Sequence, residues 1–372
     1  MTIINQDSGY LMIDIANAFA EAGHQVTLIT GRLVQRSTPL HHSVKLQRVV
    51  RYNRNSIPGR LLSWFGAFFQ MLFLLWFRHQ KAHLFIVSNP PMAPLLPLFC
   101  SNPYSLLIYD VYIEKPGEFL PLKKKSPLAK LWAKLHTRVF AKADRIYTLT
   151  KGMQQSLEKF SNGVKVEVVP VWADTTYLKP MPRERNIFVK QHGLQEKFVV
   201  LYSGSFSLNN GVEHLAEVAS LVHNKNICFL FIGEGIHKEK LIKKIKSLNL
   251  SNFLVLPWQE PDILPYSLAS ANIAVVTTGK MSSKKSVPSK LFSYFSVGKP
   301  ILCIADKNSD LAGLVKDENT GEVFDHNETS KMASFIETLY VDNALSESYS
   351  KNALRAAKKF SKENAKHFVA HV

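Results

Sequence analysis

Residues 286–305, SVPSKLFSYFSVGKPILCIA, bring together a helix start, a helix and a buried strand. Pro288 suits the first turn of a helix, where its missing N–H is no loss, and Ser289 and Lys290 then sit where free backbone N–H groups would face a phosphate. Gly298 ends the helix ahead of Lys299 and Pro300. The apolar run 301–305 that follows reads as a strand buried on both faces of a parallel sheet. A nucleotide or phosphosugar at the helix start is the first expectation.

The same alternation extends in both directions. Residues 2–5 read as a strand, 9–22 as a helix with Leu11, Ile15, Ala18 and Phe19 on one side, and 26–30 as a second strand after the stop at Gly23. That order predicts a parallel sheet of Rossmann type, with the loop Gln6-Asp7-Ser8-Gly9 at its carboxyl edge, where open α/β sheets bind ligands. Strands are expected at 84–87, 106–110, 145–149 and 166–169, with Asn89-Pro90-Pro91 as a breaker and a helix from about Ser126. The polar segment 173–186 reads as a hinge. Beyond it, strands at 198–202, 229–232, 253–256, 273–276 and 301–304 repeat the pattern. The expected fold class is α/β, two Rossmann-like domains over residues 1–172 and 173–345, with a final helix over about 346–372.

A chain of 372 residues exceeds what one core usually supports, and 46% hydrophobic content indicates a folded protein. The formal net charge is +17, from 46 Lys and Arg against 29 Asp and Glu, which calls for an acidic partner: nucleic acid, a nucleotide sugar or anionic lipid. Cys100, Cys228 and Cys303 lie far apart in apolar runs, as buried free thiols of a reducing cytoplasm do. The start Met1-Thr2-Ile3-Ile4 passes at once into polar residues and reads as no secretory signal. Neither a Ser-His-Asp pattern nor metal-ligand spacing occurs among the scattered histidines, which lowers the weight of nucleophilic hydrolysis and metal catalysis.

With Gly23-His24-Gln25-Val26-Thr27-Leu28, then Leu201-Tyr202-Ser203-Gly204, then Leu256-Pro257-Trp258-Gln259, then the Pro-Ser-Lys-Leu helix ending in Gly-Lys-Pro, the chain resembles the retaining nucleotide-sugar glycosyltransferases of family four. The resemblance runs nearly end to end and rests on the order of the pieces. Within the family it is most similar to the bacterial branch that builds lipid-linked surface polysaccharides, including the N-acetylfucosamine transferases. It implies the GT-B architecture: an acceptor domain and a donor domain facing across a cleft, with the last helix crossing back onto the first. It further implies a nucleoside-diphosphate sugar as donor, a polyprenyl-diphosphate-linked saccharide as acceptor, retention of configuration, and no cofactor or metal. The expected place is cytoplasmic, peripheral on the inner face of the plasma membrane, in O-antigen, capsule or exopolysaccharide synthesis.

Gly204 and the loop 205–210 lie at a strand-to-helix crossover whose amides suit a diphosphate, although an ordinary βα loop has the same spacing. The family places an arginine at the position of Ser205 and a lysine at that of Asn210; Lys290 is the expected replacement for that charge. The family's pair of glutamates falls on Lys285 and Ser293, so neither carboxylate is present, and Ser293 offers the ribose one hydroxyl only. Lys284 and Lys285 suggest a basic loop over the diphosphate or a solvated charge pair. Gly233-Glu234-Gly235 matches the family's glycine turn, though a lone Gly-x-Gly is more often just a turn. Trp258 and Gln259 match the segment that recognises the base, and a Trp at a domain edge is the commoner case. Gly9 stands where relatives carry a glycine pair near the donor phosphates.

In the first domain Asp110 is placed at a strand's carboxyl end, with Glu114 and Glu118 behind it, to take the acceptor hydroxyl's proton or position the acceptor; a loop-capping Asp fits equally. Residues 61–77, LLSWFGAFFQMLFLLWF, bounded by Arg60 and Arg78, barely reach bilayer-spanning length and read as a helix whose aromatic face dips into a membrane interface. Lys123, Lys124 and Lys125 lead a second candidate over 123–142, a basic amphipathic helix for which a core helix with a solvated basic face is the alternative. The rival functions are a catalytically weakened nucleotide-sugar-binding relative, motivated by the missing glutamates, and a sugar-nucleotide epimerase on the same fold. Nucleic-acid binding rests on charge alone and finds no basic-aromatic motif to support it.

Overall fold

The computed structural model describes residues 1–53, 55–114, 126–207, 211–279 and 284–370. The chain divides into two compact units, one of Met1–Val171 with Lys362–Val372 and one of Trp172–Ser361.

The first unit carries β1 (Thr2–Ile4), β2 (Asp7–Ser8), β3 (Thr27–Thr30), β4 (Arg32–Leu33), β5 (Lys45–Arg48), β6 (Leu84–Val87), β7 (Tyr104–Ile108), β8 (Arg145–Thr148) and β9 (Val166–Val168). Seven of them form one parallel sheet in the order β5-β3-β1-β6-β7-β8-β9, with Ile3 opposite Leu28 on one side and Phe85 on the other. The second unit carries β10 (Phe198–Ser203), β11 (Ile227–Ile232), β12 (Phe253–Leu256), β13 (Ile273–Thr277), β14 (Ile301–Ile304) and β15 (Gly321–Phe324) in the order β12-β11-β10-β13-β14-β15, also parallel. Both orders are the Rossmann order, in which the chain reverses direction across the sheet after its first three strands. The α/β class and the paired Rossmann-like domains are as expected. The inner strands read as continuous apolar runs because helices cover both faces: β13 and β14 are buried at every position.

Helix starts follow local chemistry. Ser56, Ser126, Thr150 and Ser309 each accept a hydrogen bond from the backbone N–H three residues on, at the heads of the helices Ile57–Arg78, Pro127–Phe140, Lys151–Glu158 and Asp310–Asp317. Three expectations shift. The edge strands β5 and β15 and the small β2–β4 pair were not anticipated: Lys45-Leu46-Gln47-Arg48 is mostly exposed and lacks an apolar run to announce it. β7 ends at Ile108, two residues before Asp110. The helix begins at Lys290, with Ser289 as its cap residue and Pro288 outside it.

The C-terminal segment differs most from its expected form as one helix returning to the first domain. The helix Asn343–Lys359 belongs to the second unit, where Ala353, Ala356 and Ala357 are buried. Its small side chains let it approach the helix Lys290–Ser296. Gly298, at φ 66°, makes room there, since a Cβ on it would lie 2.9 Å from Leu354 Cγ. Phe360 seals the contact, with ring centroids 5.1 Å from Phe292 and 6.3 Å from Phe295. Only the tail beyond Ser361 joins the first unit. There Phe368 is buried against Phe85 and Tyr147, at centroid distances of 5.3 and 4.9 Å, and Asn364 donates to the Pro170 carbonyl.

Candidate active site

In the second unit the chain changes direction between β10 and β13, which is where an open parallel sheet binds a ligand at its carboxyl edge. Two strands and a helix deliver the local chemistry. β10 ends in Tyr202 and Ser203 before Gly204, β11 runs into Gly233-Glu234-Gly235, and the helix Lys290–Ser296 starts beside them. The backbones of the first two turns touch. Gly204 N–H donates to the Ile232 carbonyl, Phe206 N–H to that of Glu234, and His237 N–H to that of Phe206. A Cβ on Gly233 would lie 2.0 Å from the Gly204 carbonyl oxygen, and one on Gly235 2.4 Å from that of Phe206. The Gly-Glu-Gly turn is therefore required by close backbone approach. The amides of Gly204 and Phe206 are already spent on it, so they do not form the phosphate cradle expected of this loop.

Lys290 lies over this turn. Its Nζ is 4.0 Å from the centre of the Tyr202 ring, is shut off from solvent, and has no hydrogen-bond partner among the described residues. A Cβ on Gly204 would fall 2.0 Å from Nζ, so the missing side chain gives the ammonium its space. Burial pushes the Lys290 pKa down from 10.5 to about 7. The face of the Tyr202 ring attracts the ammonium without neutralising its charge. A buried cation in this state has an unmet demand for an anion, and a phosphate oxygen would meet it with a charge-assisted hydrogen bond. The helix has only seven residues, so the charge rests on the ammonium and owes little to a helix dipole.

Two tyrosines not singled out in the sequence build the support. Tyr202 OH donates to the Ser205 carbonyl at 2.7 Å, and Tyr294 OH accepts from Ser203 N–H at 3.0 Å. Burial holds the Tyr294 hydroxyl well above its ordinary pKa, which keeps it neutral. The signal was present in the spacing: Tyr294 is four residues after Lys290 and so on the same helix face.

The other expected donor residues are less concentrated. Asn210 lies outside the described residues. Ser289 is exposed and Ser293 partly exposed, one turn beyond Lys290. Glu234 is exposed in the turn and paired at 2.6 Å with Lys238, the first residue of the helix that follows. Gln259 bonds back to the Pro257 carbonyl, and Trp258 stands 52% exposed beside it, an open ring face at the end of β12. Lys284 does not stand free over a diphosphate: it pairs with Asp306 at 2.6 Å and its carbonyl accepts from Asp310 N–H. Lys285 is partly buried.

In the first unit, Gly9 caps the helix Tyr10–Glu21, and no atom lies within 4 Å of where its Cβ would be. The loop before it is tightly built, since Gln6 Nε2 donates to the carbonyls of Val50 and Ser63, and Asp7 takes a two-pronged contact from Arg32. Asp110 is exposed rather than held in a strand, and Tyr112 OH donates to its Oδ2 at 3.0 Å. It borders a small pocket with Ser88, Pro91 and His136. His136 is buried, its pKa is pushed down to about 4, and its Nδ1 bonds the Trp132 carbonyl, so it is a neutral wall of that pocket. Glu118 and Lys123 to Lys125 lie outside the described residues. Among the described residues no group of three or more His, Cys, Asp or Glu is placed to hold a metal.

Residues 184–356 match the family described as Glycosyl transferases group 1, and residues 12–172 match the Glycosyl transferase 4-like domain. Together these matches span most of both units, and the chain belongs to the group 1 glycosyltransferases. The probable glycosyltransferase WbjE of Pseudomonas aeruginosa is 25% identical over 298 residues, 78% of this chain and 74% of the relative. The putative colanic acid biosynthesis glycosyl transferase WcaI of Escherichia coli is 24% identical over 46% of this chain and 43% of its own length. Among solved structures, the fold is that of WaaG, a glycosyltransferase involved in lipopolysaccharide biosynthesis (TM-score 0.67, 16% identity, 99% of this chain and 98% of that one). It is equally that of Anabaena HepE in complex with UDP (TM-score 0.73, 16% identity, 100% and 98%). These neighbours have the GT-B fold.

Proposed function

We propose that this chain transfers a sugar, with retention of configuration, from a nucleoside-diphosphate sugar to a hydroxyl of a polyprenyl-diphosphate-linked saccharide in the assembly of a surface polysaccharide. The observation that carries the reading is the buried Lys290 ammonium beside Gly204, which has no hydrogen-bond partner among the described residues. As the bond from the sugar's anomeric carbon to the diphosphate breaks, negative charge grows on the leaving oxygen, and an ammonium already in place and poorly solvated stabilises it. In this reading Lys290 does what the family's arginine and lysine at the positions of Ser205 and Asn210 would do, and no metal is needed. Asp110 serves the acceptor, taking or orienting the hydroxyl proton as the new bond to the anomeric carbon forms. The relatives' names support a polysaccharide setting, and a lipid-linked acceptor would put the reaction on the cytoplasmic face of the plasma membrane. N-acetylfucosamine is among the sugars the sequence resemblance suggests.

Titration calorimetry with UDP and GDP tests the donor site. The parent should bind at least one of them, and Lys290→Ala should bind it about tenfold or more weakly, the magnitude of a lost charge-assisted contact. Equal affinity in parent and variant would refute the assignment. A second reading, a relative that binds donor but turns it over poorly, is favoured by one observation: Lys285 and Ser293 put no carboxylate where the family has two. Donor binding without sugar transfer would select it.

A further inference from the structure

The helix Ile57–Arg78 has two unlike sides. At 3.6 residues per turn, Trp64, Ala67, Phe68, Met71, Leu72 and Leu75 fall on one half and are built into the core of the first unit, none more than 8% exposed. Leu62, Phe65, Phe69, Phe73, Trp76 and Phe77 fall within a sector of about 120° on the other. They are 74, 47, 62, 58, 46 and 67% exposed. The stripe runs for roughly 22 Å along the axis. Phe99, 52% exposed, extends it sideways and is tied to it by a 2.7 Å bond from Trp76 Nε1 to the Phe99 carbonyl. Scattered exposed apolar residues need no explanation, but a continuous aromatic stripe of this length does.

The charge around the stripe is one-sided. From residue 22 to residue 109 the chain contains nine Lys or Arg and no Asp or Glu. Arg78 and Lys81 are exposed at the helix's end. Arg48 and Arg51 are exposed on the neighbouring segment, which is fixed to the helix where Gln70 Oε1 accepts from Val50 N–H at 2.7 Å. Trp and Phe beside unopposed cations suit the boundary between acyl chains and anionic head groups.

We propose that this face of the helix docks the first unit onto an anionic lipid bilayer, lying in the plane of the interface with its aromatic side chains between the head groups and with Arg51, Arg78 and Lys81 against lipid phosphates. The helix has the length to cross a membrane, but its inner face is held in the protein core, so it lies on the bilayer and does not span it. The proposal deepens the membrane-side part of the reading above and does not depend on the sugar donor or the Lys290 site. Lys123 to Lys125 are outside the described residues and contribute nothing to it.

The test is flotation of the full chain with phosphatidylcholine vesicles, with and without roughly one third phosphatidylglycerol, at about 0.1 M salt. The parent should float with the anionic vesicles and markedly less with the neutral ones. The double variant Phe69→Gln with Phe73→Gln, both positions being more than half exposed, should partition at least tenfold less with its melting temperature unchanged. Arg78→Gln with Lys81→Gln should lose the preference for anionic lipid. If the parent stays unbound, or the aromatic double variant floats as well as the parent, the proposal is overturned. Light scattering that shows a parent dimer abolished by the same variant, without flotation, would make the stripe a contact between copies and also overturn it. Should the variant fail to fold, quenching of the parent's tryptophans by brominated lipid decides: quenching upholds the proposal and its absence ends it. Calorimetry with UDP and GDP on the same preparation reads the donor site separately.

Discussion

Replacing Lys290 by methionine keeps the apolar stem and removes the charge. It should move stability and binding in opposite directions. Burial lowers the Lys290 pKa from 10.5 to about 7, and at about 1.36 kcal/mol per pH unit this sets a ceiling of about 5 kcal/mol on the destabilisation from enclosing the charged form. The residue is partly exposed and the side chain can relax outward, so the expected gain for Lys290→Met is about 1–2 kcal/mol. For a domain of this size that raises the melting temperature by about 3–6 °C. The pH dependence has a definite sign. Between pH 7 and 10.5 the unfolded chain holds a proton that the folded Lys290 has released, so parent stability rises with pH across this window. The advantage of the methionine variant should accordingly be full below pH 7 and shrink toward pH 10.5. In the same variant nucleoside diphosphate affinity should fall about tenfold or more, the magnitude of a lost charge-assisted contact. Scanning calorimetry at about pH 6 and about pH 9, paired with titration of UDP and GDP, reads both effects. A variant less stable than the parent at the lower pH, with nucleotide affinity unchanged, would show that Lys290 is a structural residue and refute the reasoning.

Gly233→Ala should destabilise the second unit by about 2 kcal/mol or more, since its Cβ meets the Gly204 carbonyl; urea unfolding measures it, and a change within about 0.5 kcal/mol would count against the close approach. Gly9→Ala, with open space around it, should leave stability unaltered and lower transfer only if a donor phosphate comes close to that backbone. Phe368→Ala should cost about 3 kcal/mol or more by uncovering Phe85 and Tyr147, with amide exchange accelerating in β6 and β8 and not in the second unit. Asp110→Asn should depress sugar transfer strongly while nucleotide affinity, read by calorimetry, stays near the parent's; a parallel loss of both would place Asp110 outside the acceptor role.

The sheets were legible in the sequence because parallel strands covered by helices must be apolar throughout, so runs such as Ile301 to Ile304 and Ile273 to Val276 announce themselves. Edge strands have no such obligation. Lys45 to Arg48 sits at the rim with mostly exposed side chains, and nothing in its composition marks it. The C-terminal helix was visible as a helix, but its allegiance was not: which unit it packs on is decided by Ala353, Ala356 and Leu354 meeting the helix of Lys290, a contact between segments distant in sequence. The site was legible in part for the same reason. Lys290 could be picked from its neighbours in the chain, whereas the features that give it chemical meaning, the Tyr202 ring beneath it and the bare Gly204, come from another strand. Gly233 was placed in the family's glycine turn, and backbone packing alone demands a glycine there, since a glycine needed for backbone approach and one needed for a phosphate look alike in a sequence.

The central claim, transfer of a sugar from a nucleotide to an acceptor hydroxyl, is tested most directly by mass spectrometry of a polyprenyl-diphosphate-linked saccharide incubated with the protein and a panel of nucleotide sugars. The account predicts that with one donor the acceptor gains the mass of a single sugar residue while one nucleoside diphosphate is released, and that Lys290→Met suppresses both. Conversion of a donor with the acceptor mass unchanged, or a full panel left intact by a protein that binds UDP or GDP, would contradict it.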